Sequence, residues 1–308
     1  MEIGLVDIDS HNFPNLALMK ISAWHKAQGD AVEWASPLFG HYDKVYVSKV
    51  FSFSPDDGVC YDAKEIVRGG SGYCISLKNG REVYDASKDV PLPPEVEHIY
   101  PDYSLYPSLT EDTAYGFLSR GCPRGCAFCH VATKEGKRSY RVVHLGEFWR
   151  GQKKIVLCDP NILACREWRE MLEELADSKA DIDINQGLDV RLMTKEKAEA
   201  LTRLKLAEVH FAWDKYEDKE RVLKGLALYA EYGPKIHSHR GVVYTLVNFD
   251  TTIEQDLERI YTLRDMGYYP YVMIYNKAQA SREYKRLSRW VNNRFVFSQC
   301  ERFEDYKG

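Results

Sequence analysis

Apolar residues in this chain come in two kinds of run, short continuous ones and longer ones at helical spacing, and the two kinds alternate. Ile3-Gly4-Leu5-Val6 is the first short run. Polar residues Asp7 to Asn12 and Pro14 follow it, and Leu16, Met19, Ala23, Trp24 and Ala27 then share one side of a helix. Gly29 stops that helix, Ala31 to Trp34 reads as a second strand, and Val45-Tyr46-Val47 with Val50-Phe51 reads as a third. This order predicts a small parallel α/β domain over residues 1–90. Ligands of such sheets lie beyond the carboxyl ends of the strands, so the loops Asp7 to Asn15, Ser52 to Asp57 and Arg68 to Tyr73 form its candidate face.

Residues 91–111 hold Pro91, Pro93, Pro94, Pro101 and Pro107 with little helical period, which predicts an extended connector. Over residues 112–308 the strand-then-helix alternation returns. Strands are expected at Phe117 to Ser119, Ile155 to Cys158, Ile182 to Asn185, Ala207 to Trp213, Val242 to Val247 and Tyr271 to Tyr275. Between them Arg166 to Ala176 is amphipathic, Thr194 caps a helix, and Thr252 with Gln255 has the spacing of a capping box. Ser281 to Arg289 reads as a basic-faced helix and Phe295-Val296-Phe297 as a closing strand. Six repeats of this kind fit a partial (β/α)6 barrel. In α/β barrels chemistry collects where strands end, which draws attention to Cys158 to Asn161, Asn185 to Arg191, Asn248 and Tyr275-Asn276.

Composition narrows the class of partner. The 308 residues are 44% hydrophobic and 29% charged, with a formal net charge of −4, and no apolar run approaches the ~20 residues that cross a bilayer. The first residues, Met1-Glu2-Ile3-Gly4-Leu5, resemble no signal peptide, so a cytoplasmic location is expected. A net negative charge gives no general drive toward nucleic acid, and a small-molecule substrate is expected instead. The loop Lys134-Glu135-Gly136-Lys137-Arg138-Ser139-Tyr140-Arg141 is rich in cations and is expected to be a solvated loop.

Of eight cysteines, Cys60, Cys74, Cys158, Cys165 and Cys300 are scattered and are expected to be free thiols. The other three stand together in Arg120-Gly121-Cys122-Pro123-Arg124-Gly125-Cys126-Ala127-Phe128-Cys129-His130, as C-x3-C-x2-C. Three thiolates on one loop can hold three irons of a four-iron cubane and leave the fourth open to an exogenous ligand. A structural zinc site needs a closed set of four ligands, and no second pair of cysteines at that spacing follows; His130 as a fourth ligand is the alternative.

The spacing of Cys122, Cys126 and Cys129, with Phe128 before the third cysteine and Phe117-Leu118-Ser119-Arg120 before the first, resembles the signature of the radical SAM superfamily. That resemblance implies a 4Fe-4S cluster, S-adenosylmethionine bound at its open iron, a 5′-deoxyadenosyl radical and a low-potential electron donor such as flavodoxin or ferredoxin. It also implies that Phe128 lies by the adenine and that Asp159, Gln186 and Arg191 meet the methionine or ribose end, with helix capping or a salt bridge as the structural alternative for each. The domain order resembles the branch in which a Rossmann-like, cobalamin-binding-type domain precedes the partial barrel. Asp9-x-His11 is similar to the turn whose histidine ligates cobalt, but Pro14 stands where that turn has glycine, so cobalamin is not expected. Methylthiotransferases are similar in domain order but carry further N-terminal cysteines, where this chain has only Cys60 and Cys74.

The compact layout most resembles the queuine lyase group, which implies C-N cleavage releasing 7-aminomethyl-7-deazaguanine. For such a base, Asp9 would accept its adjacent N-H donors and Asn12 would serve its carbonyl, on the loop that also carries His11, with a structural role in the turn as the alternative for all three. A cobalamin-dependent methyltransferase is the alternative enzyme class, and a homodimer is compatible with this reading.

Overall fold

The computed structural model describes residues 1–10, 12–78, 81–235 and 240–308. It is an α/β protein whose described residues divide into two compact units, one of residues 1–138 with 142–156 and one of residues 139–141 with 157–308.

In the first unit the strands β1 (Glu2–Asp7), β2 (Ala31–Trp34), β3 (Tyr42–Ser48) and β4 (Ala63–Gly69) form a wholly parallel sheet in the order β2-β1-β3-β4. Helix α1 (Leu16–Ala27) follows β1, and the Asn15 side chain caps it by accepting the Leu18 N–H. Ile3, Leu5, Leu18 and Ile21 pack into one core with Val96, while Val6, Tyr42, Val45 and Val47 form another. The third strand stops at Ser48, short of the expected Val50-Phe51. Their N–H groups instead donate to the Asp9 carboxylate, at 2.8 and 2.9 Å, so they are withdrawn from the sheet. Strand β4 was not legible from the pattern, because Lys64, Glu65 and Arg68 break its apolar alternation. After the short α2 (Ser71–Cys74) comes an antiparallel pair, β5 (Ile75–Lys78) with β6 (Arg81–Tyr84).

The proline-rich stretch is stitched to this unit. Pro94 and Pro107 open the short helices α3 (Pro94–Glu97) and α4 (Pro107–Thr110), the position where a missing N–H costs nothing. Val96 is buried in the core of β1 and α1, Lys20 pairs with Glu97, and Asp102 accepts from Ser22 and Lys26 of α1. Next come β7 (Thr113–Gly116), which lies just ahead of the strand expected at Phe117 to Ser119, β8 (Ser119–Arg120) and α5 (Val131–Lys134).

The second unit takes in the short β9 (Tyr140–Arg141) and the chain from Leu157, the last residue of β10 (Lys154–Leu157). Its helices are α6 (Trp168–Ser178), α7 (Lys195–Leu201), α8 (Lys219–Tyr232), α9 (Ile253–Asp265) and α10 (Arg282–Asn292). β11 (Asp181–Ile184) pairs in parallel with β12 (Lys205–Leu206), and β13 (Val209–Ala212), β14 (Gly241–Val247) and β15 (Tyr269–Ile274) form a parallel sheet in that order. A parallel bridge from Leu188 to Phe211 ties the chain after β11 to β13. Thr252 and Gln255 make the expected capping box on α9, and Thr194 caps α7. The expected strand at Phe295-Val296-Phe297 is instead α11 (Arg294–Gln299). Asn293 caps it, and burial of Phe297 with Phe295 left exposed fits helical rather than alternating spacing. Among the described residues no helix is long and apolar enough to cross a membrane.

Candidate functional site

The cysteine loop belongs to the first unit and is shaped by glycine. Gly121 has φ +79°, and a Cβ there would lie 2.1 Å from the Arg138 carbonyl oxygen, so the chain must come back against it. That return strand accepts the Cys122 N–H at the Gly136 carbonyl, while Cys129 donates to the Cys126 carbonyl within the loop. Glu135 locks the entry: one carboxylate oxygen accepts from Gly121 N–H and the other from Arg120, both at 3.0 Å. Arg120 in turn lies over the Phe117 ring, 3.7 Å from its centroid. The far end is held by the region around β5 and β6, where His130 Nδ1 meets Glu82 at 2.7 Å and Lys134 donates to Ser71 at 2.8 Å.

Cys122, Cys126 and Cys129 are all half-buried on this loop, as is Phe128. The Cys129 thiol is pushed up to about 11, first by burial and to a lesser degree by the neighbouring Cys126 and Cys122 sulfurs, so those two thiols lie within electrostatic reach of it. Among the described residues no three His, Cys, Asp or Glu side chains converge on a point where one metal ion would sit. A four-iron cluster asks for a different arrangement, one soft thiolate on each of three irons. Three partly accessible thiols on a loop pinned at both ends fit that demand, and one ring nitrogen of His130 is already engaged by Glu82.

Asp9 and Asn12 sit beyond β1, at the point where the strand order reverses between β1 and β3. A ligand of a doubly wound sheet would enter there. Asp9 is buried and spans that gap to the Val50 and Phe51 N–H groups, so its two oxygens are occupied in holding the loop after β3. Asn12 is exposed with φ 61°, the left-handed conformation that asparagine tolerates in turns. The expectation on His11 lies outside the described residues.

Asp159, Gln186 and Arg191 belong to the second unit. Asp159 is wholly buried after β10, and Gln186 is exposed after β11. Arg191 is enclosed by two carboxylates, with Nε 2.7 Å from Asp189 and Nη1 2.7 Å from Asp218, and Asn161 donates to Asp189 as well. Arg191 thus acts within the protein as the bridge between the turns after β11 and β13.

Two residues of this region were not singled out from the chain. Asp214, just past β13, is pushed up to about 6 by burial, against the pull of Arg191 and Arg259. Arg259 of α9 is fully buried; it donates to the carbonyls of Trp213, Asp214 and Leu246 and pairs with buried Asp256. The available signal was an arginine on the same helical stripe as Asp256, Ile260 and Leu263, because a charge at a core position marks a network.

No protein-family model matches this chain, and no curated protein matches it.

Proposed function

We propose that this protein is a radical SAM enzyme in which Cys122, Cys126 and Cys129 hold a 4Fe-4S cluster, acting on a small molecule of the 7-deazaguanine class, with queuine and C-N cleavage as the specific reaction. The observation that carries this reading is the loop itself, with three thiols at C-x3-C-x2-C, backbone turns that require Gly121, and a carboxylate and an ion pair anchoring its ends. Such a cluster, when bound with S-adenosylmethionine, supplies the electron that splits the sulfonium and yields a 5′-deoxyadenosyl radical for hydrogen abstraction. The chain's own contribution is to hold the three thiols in register, and each would lose its proton on binding a metal, Cys129 against the effect of its burial. The parallel sheet of the second unit and the Leu188–Phe211 bridge support a partial-barrel arrangement for that unit. Asp9, bound to the loop after β3, holds the shape of its crevice in this reading.

The test is anaerobic reconstitution with iron and sulfide, followed by reduction with dithionite or flavodoxin in the presence of S-adenosylmethionine. Wild-type protein is expected to carry about four irons and to form 5′-deoxyadenosine, and Cys122→Ala, Cys126→Ala and Cys129→Ala are expected to lose both. Cys60→Ala and Cys300→Ala keep both. Full 5′-deoxyadenosine formation by Cys126→Ala would remove the assignment, and no turnover of queuine by an active wild type would remove the substrate.

A further inference from the structure

The sheet β13-β14-β15 has two unlike faces. One carries Phe211, Val243, Val247 and Val272; these are buried, Phe211 packing edge-on against Tyr229 of α8, and Val247 and Val272 sharing a core with residues of α9 and α10. Alternation places His210, Tyr244, Tyr271 and Met273 on the opposite face, where Tyr271 is 41% and Met273 47% exposed. Tyr244 and Tyr271 are register partners, and their rings meet edge to face at 5.9 Å. His210 lies diagonally from Tyr244 and stacks on it in parallel, centroids 5.2 Å apart and planes within 2°. Tyr271 and Met273 thus stand exposed at one end of a stripe of flat rings in which His210 and Tyr244 are half-buried, while Val242 and Tyr269 of the same face join the core.

Polar groups border this stripe. The Tyr244 hydroxyl is pushed up to about 12, by burial first and then by the carboxylates of Asp183 and Glu208, so Asp183 of β11 lies within electrostatic reach of that hydroxyl. His210 Nδ1 is buried without a hydrogen-bond partner. Its other ring nitrogen is 3.9 Å from Glu208, which also pairs with Arg294 of α11, a helix folded against the Tyr269 end of the sheet. A buried ring nitrogen without a partner is costly unless an occupant supplies one.

The geometry points to this face as a binding site for a planar heteroaromatic base, its ring stacked on the exposed ring of Tyr271, its N–H donors directed to Asp183 and a polar edge satisfying His210 Nδ1. The inference rests on the reading above for the identity of the ring, a bicyclic 7-deazaguanine with adjacent N–H donors. A flat π-system suits stacked aromatic side chains regardless of its substituents, and the carboxylate provides the discrimination.

The test is equilibrium binding of 7-aminomethyl-7-deazaguanine to the full chain by calorimetry, with cyclohexylmethylamine as a control that keeps the amine and lacks the ring. Saturable binding of the base alone is expected. Tyr271→Ala should weaken it about tenfold, equivalent to ~1.4 kcal/mol, and Tyr271→Phe should restore it, because the stacking surface returns. Asp183→Asn should reduce the preference for this base over adenine. Equal binding of the base by wild type and Tyr271→Ala overturns the proposal, as does equal binding of the saturated control or no binding of the base at all. Formation of 5′-deoxyadenosine without added base is scored separately, so a failure of the cluster assignment is distinguishable from a failure of this face.

Discussion

Arg259 offers the sharpest test of how the second unit is held together. Its guanidinium is wholly buried and makes four contacts: 2.5 Å to the Trp213 carbonyl, 2.9 Å to that of Asp214, 2.7 Å to that of Leu246 and 2.5 Å to Asp256 Oδ1. Through them one side chain of α9 gathers the carboxyl ends of β13 and β14. Arg259→Met keeps the length and removes every donor, leaving Asp256 as an unpaired buried carboxylate. Removing one partner of a buried pair costs about 3 to 5 kcal/mol, and stranding a buried carbonyl costs about 1 to 3 kcal/mol more where no water reaches it. The terms overlap, so a loss of about 4 kcal/mol or more is expected.

Arg259→Lys keeps the charge without the planar fork and should fall in between, at about 2 kcal/mol. In Arg259→Met with Asp256→Leu the stranded charge is gone, and about 2 kcal/mol or more of the loss should return. Urea unfolding followed by tryptophan emission reads this directly, because Trp213 and Trp290 are both buried in the second unit. A loss below about 1 kcal/mol in Arg259→Met, or a double variant no more stable than the single, would refute the reasoning.

Asp214 and Asp256 both have pKa values raised above their unfolded values, chiefly by burial. Groups of that sign contribute stability that is fully present below the unfolded value and is lost as pH rises through the folded one, near 6 for Asp214. Urea midpoints should therefore fall between about pH 4 and 7 on their account, and Asp214→Asn should flatten that slope and gain up to about 3 kcal/mol at pH 7. An unchanged slope in Asp214→Asn would contradict this. At the cysteine loop, Gly121→Ala must displace the Arg138 carbonyl, whereas nothing lies within 4 Å of a Cβ built at Gly125. Iron per reconstituted chain should drop severalfold in Gly121→Ala and much less in Gly125→Ala, which bears only the cost of a positive φ, about 1 kcal/mol. Equal iron content in the two variants would show that the Arg138 contact does not shape the site.

Local pattern alone determined the α/β class, most of the strands and the helix caps, because each depends on residues within one turn or one pleat. Thr252 with Gln255 and the apolar run at Val242 to Val247 needed nothing distant to be read. The three cysteines were legible for the same reason, since residues of one short loop are neighbours in the chain. Tertiary structure decided the rest. That Asp9 accepts the N–H groups of Val50 and Phe51, some forty residues on, could not be read from its own loop. Prolines that read as a connector turned out to start two short helices, the first packed on α1, and Phe295 to Phe297 became helical because Phe297 could be buried among Tyr269, Trp290 and Phe303. Arg259 and the row of His210, Tyr244 and Tyr271 were invisible in the chain, because burial and face are properties of the strands and helices a residue meets, not of the residues beside it.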